Sequence, residues 1–200
     1  MANRDELINK FYGAFSKLDY TMMNSCYSDD IVFFDPVFGL LRGDQARSMW
    51  EMLCTSAKDL SITWSNIVHL DDEYSTCEWV ARYTFSKTGR PVVNRIKAHM
   101  RFANDKIVEH SDAFSLHSWS KQAFGFTGWL FGWNSFFQNK IKNGARKRLL
   151  KFMEGKGNYE FGIRKWELGS RSLQYLFHLF LIRSLCLNGL LLTQFPITNS

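Results

Sequence analysis

The chain has 200 residues, 46% hydrophobic and 16% aromatic, with 18 Phe, 7 Trp and only 3 Pro. That is enough for one domain with a sizeable core plus an appendage, and it excludes wholesale disorder. The net charge is +6, yet six basic residues and no acidic one fall between Lys140 and Lys151. The rest is balanced, which excludes a general nucleic-acid binder. Cys26, Cys54, Cys77 and Cys186 lie far apart with no Cys-x-x-Cys or Cys/His ligand spacing, so neither a metal site nor a cofactor is expected. MANRDELINKFY has no apolar run of the signal-peptide kind, which points to a cytoplasmic location and free thiols.

In chain order, residues 4–26 read as helix, with Leu7, Ile8, Phe11, Phe15 and Leu18 at the spacing of one buried face. Asp19 is placed to cap a second short helix carrying Met22, Met23 and Tyr27. DDIVFFDPVFG follows as a short β-rich run that Pro36 interrupts and Gly39 turns. Gly43-Asp44 opens a helix to about Ala57, with Ala46, Met49, Trp50 and Leu53 on one side. From Leu60 the period becomes two. Leu60–Trp64, Cys77–Phe85, Ile96–Phe102 and Ile107–Leu116 read as strands, joined in part by the turns Thr88-Gly89-Arg90-Pro91 and Asn104-Asp105-Lys106. Alternation of this kind means one buried and one wet face, as in antiparallel sheets. The class is therefore α+β: a cone-shaped curved antiparallel sheet wrapped around N-terminal helices, followed by an aromatic and basic helical segment.

That last segment, Ser118 to Met153, carries Trp119, Phe124, Phe126, Trp129, Phe131, Trp133, Phe136 and Phe137 before the basic run. It reads either as a cap on the open end of the cone, aromatics inward, or as an interfacial membrane anchor. The expected division is residues 1–117 for the cone, 118–153 for the cap of the same domain, and 154–200 for an extension. The apolar run Leu176–Phe195 in that extension is broken by His178, Arg183, Asn188 and Gly189. It makes a poor membrane span, because a central Arg costs about 2.5–3.5 kcal/mol on insertion scales.

Three residues could carry chemistry. Asp35 ends Ile31-Val32-Phe33-Phe34. A carboxyl among Phe side chains is desolvated and becomes a better base near neutral pH, although Asp before Pro also simply makes turns. His110 and Asp112 lie two apart on the apolar face of IVEHSDAFSL, so they must be hydrogen-bonded to each other or line a cavity. No Gly-x-Gly-x-x-Gly, Gly-x-Ser-x-Gly or phosphate loop occurs, which leaves nucleotide chemistry and the common serine hydrolase without support.

Helix, short helix, DDIVFFDPVFGLLRGD, a further helix and a four-strand meander together resemble the nuclear transport factor 2-like superfamily. That superfamily includes ketosteroid isomerases, SnoaL-like polyketide cyclases and limonene epoxide hydrolases, and its fold is the cystatin-like α+β roll. The likeness is closest to SnoaL-like bacterial proteins, whose last strand and tail run much like KIVEHSDAFSLHSWSKQAFGFTGWLFGW. It covers about residues 3–153; the tail after Glu154 resembles nothing in the family. The resemblance puts Asp35 at the general base of ketosteroid isomerases. It puts Phe11, with Tyr12 adjacent, at their oxyanion-hole tyrosine, and Ala98 at their protonated aspartic acid. With both donors replaced, steroid isomerisation itself is not implied. Asp112 falls where SnoaL-like cyclases keep an acid/base carboxylate.

The function expected from these readings is a pocket for a small hydrophobic molecule, lined by Phe11, Tyr12, Phe15, Phe33, Trp50, Trp79, Tyr83, Ala98, Met100 and Phe114. Asp35 would take a proton and Asp112 with His110 would return it, in a cofactor-free isomerase-, cyclase- or hydratase-type reaction. The competing expectation is a non-catalytic ligand-binding or dimerisation module, with a homodimer formed through the sheet. A weak anionic membrane contact would run through Lys140, Lys142, Arg146, Lys147, Arg148 and Lys151.

Overall fold

The computed structural model describes residues 4–156. The expectations for the extension beyond Lys156, including the apolar run Leu176–Phe195, lie outside the described residues. Helix α1 (Arg4–Ser16) turns Leu7, Ile8, Phe11, Tyr12, Ala14 and Phe15 into the core, the spacing of a single helical stripe. It stops short of the expected 4–26 because Leu18 takes a left-handed backbone (φ 58°). Asp19 then caps α2 (Tyr20–Ser25), accepting from the Met22 N–H at 2.9 Å. Tyr27 is not part of that short helix but the first residue of β1 (Tyr27–Asp35).

Strands β1, β2 (Gly39–Arg42), β3 (Ser61–His69), β4 (Tyr74–Phe85), β5 (Arg90–Ala103) and β6 (Lys106–Ala113) form one sheet in the order β2-β1-β6-β5-β4-β3. The meander β3–β6 is antiparallel, but β1 joins β6 in parallel, so the sheet is mixed rather than wholly antiparallel. Helix α3 (Asp44–Ser56) starts after Gly43 and buries Ala46, Met49, Trp50, Met52 and Cys54, leaving Leu53 only half-buried. With α1 it fills the concave face, where Phe11 and Phe15 meet Trp50 edge-on.

β6 ends at Ala113, earlier than the expected Leu116, because Ser115 caps a new helix by accepting from the Ser118 N–H. That helix, α4 (Leu116–Phe124), lies on the end of the β4–β5 hairpin. Its Gln122 bonds both the N–H and the C=O of Val93, and the Trp119 indole donates to the Tyr83 hydroxyl at 2.7 Å. α5 (Phe126–Phe131) and α6 (Ser135–Glu154) follow, and α6 returns along α3, burying Leu149 and Met153.

The aromatic segment is thus divided. Trp119, Phe124 and Phe137 pack inward, whereas Phe126, Trp129, Phe131, Trp133 and Phe136 face solvent. Among the described residues no helix is long and apolar enough to cross a membrane.

Candidate functional site

The pleat brings β1, β6, β5 and β4 side chains together on the concave face. His110 stands between Phe33 and Met100, and Asp112 stands opposite Ala98, which in turn faces Cys77. His110 is 1% exposed and Asp112 4%. Groups this deep must find partners, and these do. Asp112 Oδ1 lies 3.2 Å from His110 Nε2 and accepts from the Trp79 indole N–H at 3.0 Å. His110 Nδ1 lies 2.7 Å from the Tyr27 hydroxyl, which accepts from the Trp50 indole N–H at 2.9 Å.

Indoles can only donate, and an ionised carboxylate can only accept. The assignment that satisfies every atom carries the imidazole hydrogen on Nε2, with Tyr27 donating to Nδ1. All the hydrogens then point along one line, from Trp50 through Tyr27 and His110 to Asp112. Rings enclose this line: Phe11 and Phe33 meet the His110 ring edge-on, and Trp50 stacks on it.

Two polar groups belong to the same interior but stand outside the line. Tyr12 is 0% exposed, its ring stacked on Trp64 and tilted against Trp79. Its hydroxyl makes no hydrogen bond among the described residues. Burial raises its pKa well above the ordinary tyrosine value, and the Asp112 charge adds to the rise.

Asp35 sits half-buried at the end of β1. Oδ1 accepts from the backbone N–H of Val37 at 2.9 Å and of Phe38 at 2.5 Å. Burial pushes the Asp35 carboxyl up to about 7; the charge of Asp112 adds to this, while the N–H groups of Phe38, Val37 and Gly39 oppose it. Asp35 therefore both builds its turn and is desolvated.

Of the residues expected to line a pocket, Phe11, Tyr12, Phe15, Phe33, Trp50, Trp79, Ala98 and Met100 are all buried around this line. The rings of Phe11, Tyr12, Phe15, Phe33, Trp50 and Trp79 are in mutual contact. Tyr83 and Phe114 fall elsewhere, in a cluster with Val92, Leu116 and Trp119 beneath α4. A depression of about 500 Å³ lies on the surface, lined in part by Tyr27, Asp29, Arg47 and Lys106.

Burial raises the thiols of Cys54 to about 12 and Cys77 to about 11, so neither is a nucleophile at neutral pH. Among the described residues no group of three His, Cys, Asp or Glu could hold a metal ion. The residue that sequence reasoning missed is Tyr27. Spacing did not single it out, because Ser28, Asp29 and Asp30 separate it from the apolar run of β1 and the register shifts between Tyr27 and Val32.

Several solved structures are similar in fold. A hypothetical protein of ketosteroid isomerase-like fold from Catenulispora acidiphila, in complex with trimethylamine, superposes with a TM-score of 0.54 at 16% identity, over 60% of this chain and 92% of its own. IdmH, a putative polyketide cyclase from Streptomyces antibioticus, gives 0.52 at 21% identity over 59% and 96%. A putative polyketide cyclase from Xanthomonas campestris gives 0.51 at 17% over 60% and 95%. No curated protein matches the chain. The profile of the SnoaL-like domain matches residues 8–110, the stretch that runs from the middle of α1 to the histidine of the buried line, and the chain belongs to that family.

Proposed function

We propose that the cone takes up a small hydrophobic molecule bearing a carbonyl group and moves a proton on it without a cofactor. The observation that carries this reading is the Tyr12 hydroxyl, a fully buried donor with no partner among the described residues. A buried donor left unpaired costs about 1–3 kcal/mol, a cost that a carbonyl oxygen would remove on binding. Asp35, with its carboxyl near 7, is half ionised at neutral pH, where a general base works best. The protonated Asp35 returns that proton to a second carbon of the same molecule, so the proton balance closes on one group, while Asp112, ionised and accepting from His110 and Trp79, fixes the polar line beside it. Because the interior rings are in mutual contact, uptake requires one of them to swing aside.

Tyr12→Phe tests the reading. The variant should fold at least as stably as the parent, gaining about 1 kcal/mol from the lost unpaired donor. It should also lose uptake of α,β-unsaturated ketones, followed by native mass spectrometry and by exchange of the ketone's α-hydrogens into deuterated water. For the parent, exchange should rise with pH through about 7 as Asp35 ionises. A Tyr12→Phe variant that is less stable, or that binds and exchanges as the parent does, overturns the proposal.

The filled interior favours a second reading, a non-catalytic binding or dimerisation module. Phe11, Phe15, Phe33 and Trp50 are all at most 3% exposed, as in a core that only has to be packed. No ketone uptake at any pH, together with self-association through the outer face of the sheet, would select it.

A further inference from the structure

We infer that the knuckle formed by α5 and the start of α6 docks the protein on an anionic membrane surface. Trp129, Leu130 and Phe131 are exposed there, with Phe126 at 74%, Trp133 at 69% and Phe136 at 78% exposure. This is not a helix whose apolar face has found a core. The side of α5 that meets the protein is glycine. A Cβ on Gly128 would stand 1.8 Å from the Ser120 carbonyl oxygen, and one on Gly132 would stand 2.8 Å from the His117 ring. The small residues are spent on the contact with α4 and the large aromatic ones are turned to solvent, the reverse of an ordinary amphipathic segment. Phe126 and Trp129 stack at 5.7 Å, and Gln138 ties the following turn by donating to the Gly132 carbonyl. The patch is therefore presented on a fixed support, and contiguous exposed apolar patches mark interaction sites.

Charge selects the occupant. Lys140, Lys147, Arg148 and Lys151 are exposed on α6 and make no ion pair among the described residues. No acidic residue occurs from Ser135 to Met153. At 3.6 residues a turn, Phe136, Lys140, Lys147 and Lys151 fall within about 60° of one another, so a cationic stripe runs on directly from the aromatic knuckle. Exposed Trp and Phe side chains, backed by lysines of one sign, match an interface of acyl chains and anionic headgroups. Arg146 is not in the stripe, because it turns inward to the Phe38 carbonyl.

The full chain is sedimented with phosphatidylcholine vesicles containing or lacking phosphatidylserine, at low and high salt. It should bind the phosphatidylserine vesicles at low salt and leave them at high salt. Joint substitution Lys140→Gln, Lys147→Gln and Lys151→Gln should weaken binding about a hundredfold, at about fivefold per lysine. Trp133→Ser with Phe136→Ser should weaken it by at least about tenfold, while the thermal melt stays unchanged because both side chains are exposed. A parent chain that ignores anionic vesicles at low salt overturns the inference, as does binding that neither set of substitutions reduces. If the knuckle substitutions instead dissolve a dimer seen in sedimentation velocity, the face belongs to a second copy and the inference is wrong.

Discussion

Replacing Asp35 by Asn should stabilise the protein at alkaline pH and leave it nearly unchanged at acid pH. The carboxyl has an ordinary value of 3.8 and is raised by burial to about 7. Below about pH 4 the folded and unfolded states both hold the proton, and the group contributes nothing differential. Between 3.8 and about 7 the folded state keeps a proton that the unfolded state has lost, so stability falls as pH rises. Above about 7 the loss is complete. Three pH units at about 1.36 kcal/mol each give about 4 kcal/mol, and screening by solvent at this half-buried position reduces that to about 2–4 kcal/mol. Asn keeps the acceptor for the N–H groups of Val37 and Phe38 while removing the charge, so the turn survives. Urea unfolding of parent and variant from pH 4 to pH 8 reads the difference directly. In a thermal scan at pH 8 the variant should melt at least about 4 °C higher, at about 2–4 °C per kcal/mol for a domain of this size. Parallel stability curves across that range would show that the carboxyl is solvated in the folded state, and the case for Asp35 as a base would go with it.

Asp112→Asn removes a charge that raises Asp35, so the Asp35 titration, followed by carboxyl carbon NMR, should move to lower pH; an unmoved midpoint would place the two groups out of electrical reach. Tyr27→Phe deletes the hydroxyl shared by Trp50 and His110, leaving a buried donor and a ring nitrogen unpaired. It should cost about 2–3 kcal/mol in urea unfolding, and a loss below about 0.5 kcal/mol would mean that the buried line is not satisfied as described. Gly128→Ala should destabilise by about 1–3 kcal/mol, since its Cβ would strike the Ser120 backbone. Gly144→Ala, in open space on α6, should instead stabilise by about 0.5–1 kcal/mol; equal effects of the two in thermal melts would refute the α4–α5 contact.

The fold was legible where periodicity is local. The buried stripe of α1 and the alternation through β4, β5 and β6 follow from spacing alone. What escaped depended on single backbone choices and distant pairings. Leu18 keeps helical spacing, yet its positive φ ends the helix, and nothing in a leucine side chain announces that. β1 was read from Asp29 onward, with Tyr27 given to the short helix before it. The register shifts between Tyr27 and Val32, and Ser28, Asp29 and Asp30 disguise the strand's beginning. Its parallel pairing with β6 joins segments about eighty residues apart, a contact no window of sequence contains. At the site, two residues of one strand, His110 and Asp112, could be put on one face from their spacing. Tyr27, which reaches His110 from another strand, could not. Tyr83 and Phe114 were assigned to the cone by alternation, but α4 draws them into its own cluster.

Phe38 is bonded in two directions at once. Its N–H donates to the Asp35 carboxylate and its carbonyl accepts from Arg146 Nε at 2.9 Å. One residue thus joins the proton equilibrium of Asp35 to the seating of α6, and linkage between two equilibria is reciprocal. Drawing Arg146 away loosens the turn that supplies the opposing N–H groups, so Asp35 holds its proton more tightly. By the same measure, protonating Asp35 weakens the hold of the turn on α6. Arg146→Gln should accordingly raise the Asp35 midpoint, and an unchanged midpoint would show the two ends to be independent. Since α6 also carries the cationic stripe, a force applied to that helix from outside reaches the acid group through a single peptide segment, and local pH reaches the helix by the same route.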